Sequence, residues 1–253
     1  MSKRRIVTGL LALSLVAAFG SSAFAGVVRV GPGGFTPLAS TITFSEPGKP
    51  VGTVNPHYSF VTASLGVVDV DFDGWFDGQT GAGSPVTLTD HTPTGPLTLL
   101  AASPNTFITT DGANPTSPVL SGTPTYNGVI SILFSTNVGA VGLDGGYFDA
   151  AHSTTIEAYD ENGNVLGSVT NNGTGIEFFG LADAGGLNTI RGISFFITGA
   201  EPAGFAIDNV TFGSAREVVG VAPLPSSALL GLSMLGGLVG IGALRRRKRQ
   251  VIG

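Results

Sequence analysis

A chain of 253 residues with 39 glycines, 15 prolines and no cysteine can bury a core in one or two domains, and it excludes disulfides, thiol catalysis and a lipid-modified N-terminal cysteine. Only 11% of its residues are charged, and the basic ones crowd both ends: Lys3, Arg4 and Arg5, then Arg245, Arg246, Arg247, Lys248 and Arg249. The middle keeps four basic residues against seventeen acids, a net charge of −13, which argues against nucleic acid and anionic lipid as partners and leaves metal cations as the natural counter-charge.

The first element is MSKRRIVTGLLALSLVAAFGSSAFA. A basic start, a short apolar stretch from Ile6 to about Phe19 and the small pair Ala23 and Ala25 around Phe24 make a secretory signal peptide for residues 1–25. Signal peptidase is expected to cut after Ala25, so that the mature chain starts at Gly26, outside the cytoplasm.

From Gly26 to about Gly213 no helical period persists. Short alternating runs are broken by Gly, Pro, Asn and Asp, which predicts about ten strands in a β-sandwich or barrel. DVDFDGWFDGQ has two readings. Asp69, Asp71, Asp73, Gly74 and Asp77 match an EF-hand-like Ca²⁺ loop, with Thr80 where the closing Glu would stand. The favoured reading is a strand, with Val68, Val70 and Phe72 in the core and the three aspartates toward water. TDHTPTGPLTL and GANPTSPVLSGTP read as edge or surface loops, and GVISILFS as a strand buried on both faces. Asp144 in GLDGG reads as a turn. TTIEAYDENGNVLGSVT predicts a hairpin around Asn162-Gly163. NTIRGISFFITG places Ile193, Phe195 and Ile197 on one face; GFAIDNVTFG sets Phe205, Ile207 and Asn209 against Ala206, Asp208 and Val210. The expected fold is all-β, a single jelly-roll-like sandwich over residues 26–213, with a linker at 214–222.

The last element is APLPSSALLGLSMLGGLVGIGALRRRKRQ, a sorting segment at 223–249. Residues 228–244 carry no charge and would form a helix of roughly 26 Å, at the short end of a membrane span. Pro223 and Pro225 keep the preceding segment extended, and the basic tail at 245–249 stays inside while the acidic body is outside. This tail resembles that of the PEP-CTERM proteins, which are exported Gram-negative proteins. The resemblance rests on Pro223-Leu224-Pro225, a variant of the usual Pro-Glu-Pro, on the apolar run, and on Arg245 to Arg249. It implies an exosortase-like protease as a processing partner, the inner membrane as a temporary anchor, and the cell surface or extracellular matrix as the destination. The body is similar to the extracellular β-sandwich often found ahead of such tails, through NGVISILFSTNVGAVGLDGG, ENGNVLGS and GFAIDNVTFG. That second resemblance implies a fold and no mechanism.

Candidate sites are few. Asp208 in the closing strand could share a structural Ca²⁺ with an acid of the N-terminal strands, by analogy with carbohydrate-binding jelly rolls. The bland reading is an outward polar strand residue. His57, His91 and His152 are scattered with no metal-ligand spacing, and Glu157 and Glu161 flank a turn. Trp75 with Tyr58 or Tyr147 could stack on a sugar, although a single Trp in a sandwich is more often core. The sequence therefore predicts an exported envelope or matrix protein of structural or interaction type, without enzyme activity. The alternative is a Ca²⁺-dependent module for exopolysaccharide.

Overall fold

A computed structural model describes residues 26–111 and 117–218; the expected signal peptide and the expected sorting segment lie outside the described residues. Among those described, no helix is long and apolar enough to cross a membrane. Two single-turn 3-10 segments, Pro32–Gly34 and Ala215–Glu217, accompany fifteen strands. These are β1 (Val27–Arg29), β2 (Ser40–Ile42), β3 (His57–Thr62), β4 (Gly66–Asp73), β5 (Thr80–Ala82), β6 (Thr87–Asp90), β7 (Thr106–Thr110), β8 (Pro118–Gly122), β9 (Ile130–Val138), β10 (Ala140–Phe148), β11 (Thr154–Tyr159), β12 (Val165–Thr170), β13 (Gly175–Asp183), β14 (Ile190–Ile197) and β15 (Ala206–Gly213).

The strands form two antiparallel sheets in a sandwich-like arrangement. The first has the order β1-β13-β10-β15-β8-β7, with β2 also on β15; the second has the order β12-β11-β14-β9-β4-β3; β5 and β6 pair separately. The excess over ten strands comes from short pairings in segments that read as loops. Pro118, for example, opens β8 from the first position of the strand, where its missing N–H costs no ladder bond.

One continuous core lies between the sheets. Val68, Val70 and Phe72 of β4 enter it as the alternation predicts, together with Ile132, Phe134, Leu143, Phe179, Phe195 and Phe212. The Asn162-Gly163 hairpin also forms, with β11 against β12. Asp160 fixes it by accepting the amide N–H of Asn162 and of Asn164, both at 2.8 Å, while Gly163 takes the left-handed conformation (φ 79°).

Buried residues also occur on the outer face of the second sheet, because residues 74–104, including β5 and β6, fold back over it. Trp75, Val86 and Leu88 pack on Phe196 of β14 and on Val129, while Phe76 and Leu97 pack on Tyr159. Gln79 ties this flap down. Its Oε1 accepts from the Phe76 amide (2.9 Å), and its Nε2 donates to the His91 carbonyl and the Tyr159 hydroxyl (both 3.0 Å). This covering explains why β9 and β14 are buried on both faces.

The body extends past Gly213, where the sequence placed the start of the linker. Glu217 is 1% exposed. It accepts from Ser64 Oγ (2.9 Å) and the Ser214 amide (2.7 Å), its carbonyl accepts from the Thr36 amide (2.9 Å), and Val218 bridges to Phe35. Hydrogen bonds to an ionised carboxylate are worth about 1.5–3 kcal/mol, so Glu217→Ala should destabilise the protein by about 2 kcal/mol, read as a lower urea midpoint at unchanged m-value.

Candidate functional site

With the second sheet covered by the flap, the face left open among the described residues is the outer side of the first. At its centre β15 lies between β10 and a split neighbour: β8 pairs at Ile207 and β2 pairs at Val210 to Phe212. On the other edge the register of β10 against β15 shifts between Gly142 and Asp144. Asn209 and Val210 occupy this interruption opposite Leu143, beside the in-register pair Asp144 and Asp208, and Asn209 is left-handed (φ 49°). The extra residue changes the phase of the strand. Val210, expected opposite Ile207, joins it in the core, while Asp208 and Asn209 both remain half-buried at the surface.

Three adjoining cavities of about 230, 440 and 200 Å³ run across this face as one groove. The first shares Asp144 and Asn209 with the second, and Asp111, Gly146, Tyr147 and Ala206 with the third. Aromatic rings mark its length. Tyr126 stands at one end and Tyr147, 61% exposed, near the middle. Phe35 and Phe178 form an edge-to-face pair at the other end, with centroids 6.0 Å apart. That pair lies down on the sheet because Gly142 has no side chain: a Cβ there would come within 2.4 Å of the Phe178 ring.

Asp144 and Asp208 are direct cross-strand partners on the floor of the groove. Asp144 accepts from Asn209 Nδ2 (2.9 Å); Asp208 accepts from Ser117 Oγ (3.1 Å) and the Asn209 amide (2.7 Å). Desolvation raises the Asp208 pKa to about 6 against the lowering effect of these hydrogen bonds, and the negative charges of Asp144 and Glu46 add to the rise. A carboxyl raised in the folded state contributes stability that is fully present below its unfolded pKa, near 4, and is lost as pH rises through about 6. The urea midpoint should therefore fall between pH 4 and pH 6.5 more steeply in the parent than in Asp208→Asn, where this component is absent.

The residues singled out from sequence are dispersed. Asp69 and Asp71 lie half-exposed on β4, and Asp71 meets His57 at 2.7 Å. Asp73, expected to face water, is 8% exposed and accepts from Ser103 Oγ (2.6 Å) and the Gly74 amide (2.8 Å), because the flap closes over that end of the strand. Asp77 is exposed and accepts from Thr94 Oγ1 (3.1 Å). An extended strand does not curl these four around one ion, and Asp208 is on the other sheet. Among the described residues no three His, Asp or Glu side chains are grouped to hold a metal. Trp75 packs from the inner side of the flap and Tyr58 lies in the core, which leaves Tyr147 as the open aromatic of the three. Asp144 sits within β10, and the glycines after it serve packing: a Cβ at Gly145 would come within 3.0 Å of the Phe148 and Phe195 rings. His91 packs on Phe196, and His152 contacts Thr170, far from His57 in the fold.

No protein-family model matches the chain. No curated protein matches it either. A solved structure to which it is similar is the enzymatically active domain of tailspike protein 4 of bacteriophage CBA120, at 17% identity and a TM-score of 0.27. The match covers 70% of this chain and 21% of that one, so the chain spans about a fifth of that structure's length. The expectation that the chain has no enzyme activity is withdrawn on this finding, because the similar structure is an enzymatically active domain. At that TM-score the likeness assigns no reaction to this chain.

Proposed function

We propose that the protein is an exported envelope or extracellular-matrix protein whose sandwich binds a glycan chain along the groove of its first sheet. The observation that carries this reading is the groove itself: long, open, lined by aromatic rings, and placed on the face that the flap leaves free. Aromatic faces cover the apolar side of a sugar ring, and carboxylates and amides meet its hydroxyls. An open groove suits a polymer better than a small molecule, which is usually enclosed.

A jelly-roll reading of the body agrees with this function. Strands β8 to β15 divide into the orders β8-β15-β10-β13 and β9-β14-β11-β12, the alternation expected of an eight-stranded double-sheet jelly roll, an architecture common in lectins. Fold alone does not make a function, so the weight rests on the groove. A printed glycan array tests it. Retention of at least one glycan class that Tyr147→Ala removes supports the reading, and an array with no retention sinks it.

For delivery we propose secretion through the N-terminal signal, a temporary anchor through residues 228–244 and processing near Pro223-Leu224-Pro225 by an exosortase-like protease. The matching basic ends and the charge-free run support this route. Expression in an exosortase-bearing host and in the same host lacking that enzyme should give a shortened, surface-released chain in the first case only. An intact tail and the same location in both would rule the route out.

A further inference from the structure

The lining of the groove carries a chemical bias that narrows its ligand. We propose that the groove selects a glycan bearing free, protonated amino groups over its N-acetylated form and over uronate chains. This rests on the glycan-binding reading above.

Three side-chain donors beside the acidic pair are turned toward acceptors of the protein itself. Ser117 Oγ donates to Asp208, Asn209 Nδ2 donates to Asp144, and Thr211 Oγ1 donates to the Asn209 carbonyl (3.2 Å). What faces the cavity is acceptor capacity, because an ionised carboxylate has about four lone-pair sites and these bonds occupy few of them. Among the described residues no Arg, Lys or His lines any of the three cavities. A uronate or sulfate brings more negative charge to a floor that already carries two carboxylates, and finds no counter-charge in the described lining. An N-acetyl group removes the charge and adds a carbonyl acceptor. An ammonium group brings three donors and one positive charge.

The register places that charge. Asp144 and Asp208 are paired directly across two strands, an arrangement in which like charges repel and a cation between them is favoured. Tyr147 stands beside the pair, more than half exposed, where a ring can cover the sugar that carries the amine.

The test is calorimetry of the purified protein with three oligomers of equal length: glucosamine, N-acetylglucosamine and galacturonate, at pH 6 in low and high salt. The expected result is at least tenfold tighter binding of the glucosamine oligomer than of its acetylated form. That preference should collapse in Asp144→Asn and shrink in high salt, while the galacturonate oligomer does not bind. Asn keeps an oxygen for the Asn209 amide, so the fold is retained, and matching melting temperatures check this. Equal affinity for the acetylated oligomer, with loss in Tyr147→Ala, overturns the charge selection and leaves the glycan reading standing. A preference that persists in Asp144→Asn also overturns it, because the polycation would then be adhering to the acidic body at large. No binding of any of the three oligomers overturns the charge selection, while the glycan reading is decided by the array.

Discussion

Phe195→Ala should be the most destabilising single truncation, costing about 3–5 kcal/mol and lowering Tm by roughly 10 °C. The ring is fully buried between the sheets. It meets Phe205 at 4.5 Å, Phe179 at 5.2 Å and Phe148 at 6.2 Å, and Gly145 has no side chain so that it can fit. Removing it empties the point where β10, β13, β14 and the loop before β15 converge, and rigid aromatic neighbours cannot collapse into the space. The adjacent Phe196 points the other way, under the flap, into a small cluster with Val86, Leu88 and Val129. Phe196→Ala should cost less, about 2–3 kcal/mol, because a flap can settle where a sandwich core cannot. Equal losses at the two positions, measured by urea denaturation, would mean that the flap is as rigid a part of the core as the sheets.

Tyr147→Ala should change stability by no more than about 0.5 kcal/mol, since the side chain is mostly exposed, and yet weaken glycan binding by roughly 30-fold or more. A central aromatic anchor is commonly worth about 2 kcal/mol or more when truncated, which converts to that factor. The separation of the two effects is what makes the residue informative. A structural role would move Tm and binding together; a binding role moves only the affinity. Unchanged affinity in Tyr147→Ala would remove the middle of the groove from the ligand's path.

What was legible in the sequence was whatever depends on neighbours in the chain. Val68, Val70 and Phe72 alternate into the core because period-2 patterning is a local property of a half-buried strand. Asn162-Gly163 turns because its own backbone requirements are met locally. The groove depends on features without a local signature. The bulge at Asn209 exists because β15 is flanked by a shifted β10 and a split pair, β8 and β2, that approach from distant parts of the chain. Strict alternation along β15 places Val210 on the wrong face, because the bulge shifts its phase. Asp144 was read as a turn because Gly145 and Gly146 follow it, and sequence does not distinguish a glycine needed for a turn from one needed to admit a phenylalanine ring. The flap hid a third point: Asp73 alternates like a solvent-facing acid and is buried by residues some thirty positions later. Cross-strand placement of Asp144 against Asp208, separated by more than sixty residues, likewise follows only from the sheet order.

The central claim is that the open face of the first sheet is where glycan binds. Amide chemical-shift mapping of the labelled protein, titrated with the tightest-binding oligosaccharide, tests it residue by residue. Perturbations should cluster at residues 144–147, 176–178 and 207–211, with residues 74–104 and the second sheet silent. Shifts centred on the flap or on β3 and β4, with the groove unmoved, would contradict it.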